Sequence, residues 1–184
     1  MGDEQLAAPE PLETVRSFVN TRDLELGLEA LATPADLQRW LSEHGLLGGQ
    51  DVGAADLRRA IGLREGLRGI LLAHATGAAA APAAVDAIAA AAQRAVLLVR
   101  PGPEGFVLEP AGRGADAALA RLLAIVVIAQ ADGTWTRLKA CPGSDCHWAL
   151  YDHTRSRTRT WCAAAKCGAR ARARAYRARR RSPP

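Results

Sequence analysis

The stretch that decides the architecture of the chain is residues 141–167, CPGSDCHWALYDHTRSRTRTWCAAAKC. It contains all four cysteines of the 184-residue chain, as two pairs with four residues inside each pair and fifteen residues between them. Each short loop lets two sulfurs reach one ion at ~2.3 Å, which is the spacing of a tetrathiolate zinc site. The stretch therefore predicts one Zn²⁺ held by Cys141, Cys146, Cys162 and Cys167.

Other uses of the cysteines remain open from the residues alone. Two disulfides are one alternative, but the acidic start at residues 1–4 is not followed by an apolar segment, so we expect a cytoplasmic, reducing location. Either His147 or His153 could replace a cysteine as a ligand. Four thiolates leave no coordination position for a catalytic water, so we expect a structural ion and no enzyme.

The segments around the cysteines predict a small finger made of a knuckle, a hairpin and a basic helix. Residues 147–151 and 157–161 are predicted to be a strand and its return strand, joined by a turn. Trp148 and Trp161 are the expected hydrophobic core of this unit, which is small enough to need its metal in order to fold. Residues 163–181 are predicted to form the helix.

Charge is divided unequally along the chain. Residues 1–136 carry 11 arginines and 17 acidic residues, whereas residues 137–184 carry 13 basic and two acidic residues. The net charge is therefore −6 in the first part and +11 in the second. Arginine outnumbers lysine 22 to 2 in the whole chain, so the position of the charge carries the inference rather than the choice of arginine. A basic segment attached to an acidic body favours contact with a polyanion.

The arginines of the basic segment form two groups. At 100° per residue, four arginines of the predicted helix lie within about 40° of one line, and alanines form a separate face. Three more arginines alternate in the preceding loop. A solvated charged helix is the alternative, although like charges on one face repel unless an anion neutralises them. The candidate nucleic-acid contacts are Arg155, Arg157, Arg159, Arg170, Arg174, Arg177 and Arg181.

The first 136 residues predict a mainly helical body with one β-hairpin, and the chain as a whole predicts an α+β fold. After a frayed lead-in at residues 1–11, apolar residues recur at helical spacing from Leu12, and Thr33 with Pro34 marks a helix start. Further helices are predicted over residues 51–75, 83–93 and 115–131, and hairpin strands over residues 95–100 and 105–109. Side chains expected to face outward are Arg58, Arg59, Glu65 and Arg68, and Val127 is expected to be buried.

Membrane insertion is not expected. The longest uninterrupted apolar run, residues 122–129, is far shorter than the roughly 20 residues that a transmembrane helix requires. Aromatic residues make up only 4% of the chain and alanine is abundant, which favours helices over a β-sandwich.

Several motifs resemble those of a known bacterial family, the CGNR zinc finger proteins. The motifs in the finger are Cys141-x4-Cys146, Leu150-Tyr151-Asp152, Trp161-Cys162 and Cys167-Gly168-x-Arg170. The body resembles the ABATE domain that precedes this finger in the family, through residues 18–21, residues 34–41 and the hairpin at residues 101–108. The resemblance covers about residues 12–181. It implies a body at residues 12–136 and a finger at residues 137–181, with Ala169 in place of the family's asparagine.

The resemblance implies a zinc-dependent, DNA-binding transcription regulator. In this interpretation the finger contacts nucleic acid and the body senses or binds an unidentified ligand. The alternative is a zinc-stapled interaction module that binds RNA or an acidic protein partner. No carboxylate pair or second metal cluster stands out in residues 1–136, so catalysis has no support from the sequence.

Overall fold

The computed structural model describes residues 6–103 and 105–181, and within them the fold is α+β and mainly helical. The helices are α1 (Leu12–Val19), α2 (Pro34–Glu43), α3 (Ala54–Thr76), α4 (Pro82–Ala92), α5 (Gly114–Ala131) and α6 (Ala169–Arg181). The strands form three antiparallel pairs, β1 (Arg22–Asp23) with β2 (Leu28–Glu29), β3 (Leu97–Gly102) with β4 (Gly105–Pro110), and β5 (Leu138–Ala140) with β6 (Ala149–Tyr151). The predicted mainly helical body is confirmed.

The start of α2 shows how local sequence sets a helix boundary. The Thr33 hydroxyl accepts a hydrogen bond from the Asp36 amide, and the Asp36 carboxylate accepts one from the Thr33 amide. Pro34 occupies the first helical position, where its missing N–H costs nothing. The helix start predicted at Thr33 and Pro34 is confirmed.

Helix α3 is the centre of the core. Its leucines Leu63, Leu67 and Leu71 are fully buried and pack in one cluster with residues of α1, α2 and α5. On another side α4 approaches α3 closely, because a Cβ at Gly69 would lie only 2.5 Å from the Ala84 Cβ. The α3–α4 contact therefore depends on glycine at that position.

The core does not end at residue 136. Leu138 and Ala140 of β5 and Ala149 and Tyr151 of β6 are buried in the same cluster as the leucines of α3. The β5–β6 hairpin of the finger thus packs on the body, and burying it stabilises both. Two segments that differ sharply in charge share one hydrophobic core.

Two burial predictions for the body are wrong. Arg68 was expected to face outward, yet it is only 3% exposed, because carbonyl groups and Glu65 satisfy its guanidinium inside the protein. Val127 was expected to be buried in α5, yet it is 55% exposed. At 100° per residue it lies about 140° around the helix from the buried Leu122, so it falls outside the core-facing side.

The predicted return strand at residues 157–161 does not form. Strand β6 pairs instead with β5, in a register that places Leu138 opposite Tyr151 and Ala140 opposite Ala149. The body also has a second hairpin, β1–β2, whose two-residue strands are too short to give a sequence pattern. The lead-in is not frayed where it is described, since Leu6 and Ala8 are buried.

Two apolar features of the body are an exposed hairpin and a long core helix. Hairpin β3–β4 exposes large side chains, with Phe106 80% and Val99 66% exposed. Helix α5 is long and apolar enough, by length and composition, to cross a membrane. Eight of its 18 residues are nevertheless buried against the rest of the protein, which is the pattern of a core helix.

Candidate metal centre and basic helix

The four cysteines converge on one point. Their sulfur atoms all lie within 4.8 Å of one another, with 3.5 Å between Cys146 and Cys162 and 3.6 Å between Cys162 and Cys167. Four ligands around a tetrahedral ion at ~2.3 Å would be about 3.8 Å apart, whereas a disulfide needs about 2.05 Å. The cluster therefore fits the metal centre of a zinc finger.

Tight backbone turns position the sulfurs. In the knuckle the Cys146 amide donates to the Gly143 carbonyl at 3.0 Å. A Cβ at Gly143 would lie 3.3 Å from the Cys146 Cβ and 3.5 Å from the Cys167 sulfur, so a larger residue would crowd the cluster by a few tenths of an ångström. Cys167 lies in one wide helical turn, Ala164–Gly168, directly before α6. The ligands and the basic helix are therefore covalently adjacent.

The protonation states of the thiols favour a cation at their centre. Hydrogen bonds from the Cys146 and Cys162 thiols lower the pKa of Cys141. The same contacts raise the pKa values of Cys146 and Cys162, because a second thiolate beside Cys141 would repel the first. Thiolates this close together repel one another, and a divalent cation at their centre would offset that repulsion.

Apolar side chains enclose the cluster. Leu150 is fully buried beside the cysteines, and Leu6 from the start of the described chain packs against them. Trp148 and Trp161 are partly buried against the same cluster, as predicted. Within this shell Cys141, Cys146 and Cys167 are buried and Cys162 is partly buried.

Neither histidine of the finger joins the cluster of candidate ligands, which consists of the four cysteines. The His147 carbonyl accepts a hydrogen bond from Arg68 at 2.9 Å. The His153 ring lies 2.7 Å from the Ala7 carbonyl oxygen and packs on Tyr151. Both residues connect the finger to other parts of the chain.

A buried ion pair shapes the loop between the cysteine pairs. Lys139 Nζ donates to the Asp152 carboxylate at 2.7 Å and to the carbonyls of Arg157 and Arg159 at 2.6 and 2.9 Å. The Asp152 carboxylate also accepts from the Arg159 and Thr154 amides. Burial acts to raise the pKa of Asp152, but the hydrogen bonds from Lys139 and Thr154 lower it overall.

Sequence reasoning missed Lys139, although the composition contains a signal. It is one of two lysines in a chain with 22 arginines. Three acceptors converge on a single nitrogen, which suits the three donors of an ammonium group and not a planar guanidinium. This network, instead of strand pairing, fixes residues 152–160.

Polar side chains of the body form hydrogen bonds with the backbone of the finger. Asn20 donates to the Ala149 carbonyl at 3.0 Å and accepts from the Ala149 amide at 2.7 Å. Arg68 links the carbonyls of Val19 and His147. These contacts join α1, α3 and β6, so the position of the finger on the body is fixed by hydrogen bonds as well as by the shared core.

The predicted nucleic-acid contacts lie in different environments. On α6, which has no buried residue, Arg170, Arg174, Arg177 and Arg181 are exposed and line one open side of the helix. Arg170 and Arg174 also border the cysteine knuckle. In the loop, Arg155 and Arg157 are exposed. Arg159 differs, since its guanidinium is half-buried and donates to the carbonyls of Trp161 and Cys162.

Two positive residues at the start of α6 contact the body. The Glu25 carboxylate, in the turn between β1 and β2, accepts from Lys166 at 2.8 Å and from Arg170 at 3.0 Å. Both contacts are exposed ion pairs. Sequence reasoning did not single out Glu25 or Lys166, because 141 residues separate them along the chain.

Comparison with known families agrees with this architecture. The ABATE family, described as "Putative stress-induced transcription regulator", matches residues 13–136, and the CGNR zinc finger family matches residues 137–180. Neither is a family of enzymes. No curated protein matches the chain. The order of the two matches and the converging cysteines together show that the chain belongs to the ABATE family and carries a C-terminal CGNR zinc finger.

Proposed function

We propose that this protein is a cytoplasmic, zinc-dependent, DNA-binding transcription regulator. The observation that carries the proposal is the exposed arginine side of α6, held directly beside the cysteine cluster. The family descriptions support a regulator with a zinc finger, and the DNA contact is our inference from charge and geometry. The metal organises the finger and takes no part in a reaction.

Zinc is the ion that best suits the cluster. Four thiolates in a compact, apolar shell suit a soft ion with tetrahedral coordination, and the match to a zinc finger family favours Zn²⁺ among such ions. Cys141, Cys146, Cys162 and Cys167 would fill all four positions, so no site for a water or substrate remains. A catalytic role for the metal is therefore not part of the proposal.

Helix α6 has the dimensions of a nucleic-acid-binding helix. Its 13 residues span about 20 Å, and the major groove of DNA, about 12 Å wide, admits an α-helix. Arg174, Arg177 and Arg181 follow one side of it and can reach successive phosphates or the edge of a guanine. Arg155 and Arg157 supply a second contact from the loop. We assign Arg159 to holding the backbone around Cys162 and not to DNA.

The helix also needs an anion for its own stability. It contains seven arginines, no acidic residue and no buried side chain. A helix of this length without packing is marginally stable in water, and arginines at i,i+4 such as Arg170 and Arg174 repel each other. A phosphate backbone along one side would remove that repulsion, so binding would also order the helix.

The body contributes a surface for a ligand or partner in this proposal. Four of its exposed large apolar side chains lie on the β3–β4 hairpin, namely Leu98, Val99, Phe106 and Val107. Exposed apolar surface of this kind is typical of contact sites. Replacing Phe106 by Ser should leave the fold intact and weaken binding of any partner recovered with the wild-type protein, while an intact interaction would remove the hairpin from the proposal.

The central experiment compares the two sides of α6. One variant replaces Arg174, Arg177 and Arg181 by Ala, and the matched control replaces Arg172, Arg179 and Arg180 by Ala, which removes the same charge from other sides of the same helix. Binding to a labelled DNA duplex is measured over a range of salt concentrations. We expect the first variant to lose affinity and to lower the slope of log K against log salt by roughly 0.9 per lost phosphate contact.

The control variant should keep most of its affinity and slope. Equal losses in both would indicate attraction by net charge alone, and no loss in either would exclude α6 as the binding helix. Arg58→Ala on the body is a second control, preferable to Arg59, whose guanidinium forms ion pairs with Asp56 and Asp116. Tighter binding to RNA of the same length than to the duplex would favour the RNA-binding alternative.

A further inference from the structure

The contact between Glu25 and the finger has an unusual form for a surface ion pair. Both carboxylate oxygens are used, Oε2 by Lys166 Nζ and Oε1 by Arg170 Nη1. Lys166 lies in the wide turn Ala164–Gly168 and Arg170 in the first turn of α6, and their contacts with one carboxylate place both side chains on the same side of the chain. Together they form a two-pronged cationic site for an oxyanion that offers two oxygens.

A phosphodiester group meets the same geometric requirement. Its two non-bridging oxygens share one negative charge, as the two oxygens of a carboxylate do, and both groups accept charge-assisted hydrogen bonds from lysine and arginine. Arg170 also lies on the same helical line as Arg174 and Arg177, so the two-pronged site continues the arginine side of α6. The Glu25 carboxylate occupies the place that the first phosphate along this side would take.

We propose that Lys166 and Arg170 form a phosphodiester-binding pair that Glu25 occupies in the free protein and that the DNA backbone takes over on binding. This inference rests on the proposed function and adds to it a named site and a competing group. In this proposal Lys166 is a nucleic-acid contact. The β1–β2 turn of the body, through Glu25, lowers the affinity of the finger for DNA.

Exchange between the two anions is feasible because the internal contact is weak. The side chains of Lys166 and Arg170 are 52% and 48% exposed, and water screens exposed pairs strongly. The turn that carries Glu25 has little packing to hold it, since Leu24 and Leu26 beside it are 36% and 69% exposed. The hydrogen bonds from Lys166 and Arg170 lower the pKa of Glu25, so it competes as a full negative charge at neutral pH.

The test is the variant Glu25→Gln, which keeps the size of the side chain and removes the competing charge. We expect it to bind a labelled DNA duplex about threefold more tightly than the wild type at low salt, since DNA no longer has to displace an exposed ion pair, and such a pair typically changes an equilibrium by a factor of roughly one to five. The matched control is Glu43→Gln, which removes the same charge from an exposed position of α2. It should change affinity much less.

Repeating the test in the double variant Lys166→Gln and Arg170→Gln shows whether the effect of Glu25→Gln acts through this pair. In that background Glu25→Gln should no longer raise affinity, because the pair that Glu25 blocks is gone. Equal gains from Glu25→Gln and Glu43→Gln, or a gain that survives in the background, would overturn the inference and leave DNA binding intact. If neither the wild type nor Glu25→Gln binds any duplex, the proposed function fails, and the inference fails with it.

Discussion

The finger contains two regions with opposite physical character. Its base, formed by β5, β6 and the four cysteines, is buried and contacts the body through apolar side chains and hydrogen bonds. Its helix α6 has no buried residue and carries seven of the chain's arginines. The side chains of the base contribute to stability through burial, and the side chains of α6 remain exposed to solvent.

This difference teaches that a change of charge along a chain does not mark the end of a folding unit. The shift from an acidic to a basic sequence occurs near residue 136, yet Leu138 and Ala149 lie in the core of the body. Buried residues continue along the described chain as far as residue 168, well beyond the change of charge. Substitutions on either side of residue 136 can therefore show whether the body and the base of the finger unfold together.

Loss of the metal should have the largest effect. Replacing Cys162 by Ala removes one ligand, and structural zinc contributes on the order of 10 kcal/mol in small fingers. Because β5 and β6 are part of the common core, we expect the whole chain to unfold in a single transition at a much lower temperature. Calorimetry measures the unfolding temperature, and metal analysis measures the zinc content. A variant of the same knuckle that keeps all ligands, Ser144→Ala, should retain its metal and its melting temperature.

The contrary result would be a body that melts at the wild-type temperature after the metal is lost. In that case the shared core would contribute little to the stability of the body, and the body would end as a folding unit near residue 136.

Breaking the buried ion pair should have the next largest effect. Lys139→Ala leaves Asp152 charged, fully buried and without its partner, which typically costs about 3–5 kcal/mol. Denaturant unfolding measures the loss. Lys139→Arg should recover only part of the stability, because no single nitrogen of a guanidinium can donate three hydrogen bonds, as the ammonium nitrogen does. Full recovery with arginine would show that charge alone holds residues 152–160.

The link between α1 and β6 should contribute less. Asn20→Ala removes two hydrogen bonds to Ala149, at a cost of about 1–3 kcal/mol, because the Ala149 amide loses its side-chain partner and the Ala149 carbonyl keeps only the longer contact from Arg16 at 3.4 Å. Because the contact crosses from body to finger, this loss should appear in the one common transition. A destabilisation confined to the metal-binding segment, seen as early loss of zinc with an unchanged body, would contradict the shared core.

Substitutions on α6 should have the smallest effect on stability. Replacing Arg174, Arg177 and Arg181 by Ala touches no buried contact, and alanine is at least as good a helix former. We expect the free energy of unfolding to stay within about 0.5 kcal/mol of the wild type, although DNA binding weakens. A large destabilisation would mean that α6 packs on the rest of the protein, and it would remove the contrast between the two regions.

Much of the fold could be predicted from the sequence, because its signals are local. The capping pattern at Thr33 and Pro34 acts within one turn, and the helical spacing from Leu12 reports one face of one helix. Strand pairing in the finger could not be predicted in the same way. The partner of β6 lies before the first cysteine pair, and the spacing of residues 147–161 favoured a return strand that the Lys139 network replaces.

The sequence by itself determined the four candidate metal ligands, because cysteine spacing limits which sulfurs can reach one ion. It also determined the basic line along α6, because helical periodicity is local. Only the tertiary structure decided which charged residues serve the fold. Arg68, Lys139 and Glu25 contact groups that lie 13 to 145 residues away along the chain. Whether a charged side chain is buried or free depends on acceptors supplied by distant segments, and no local pattern records where those segments meet.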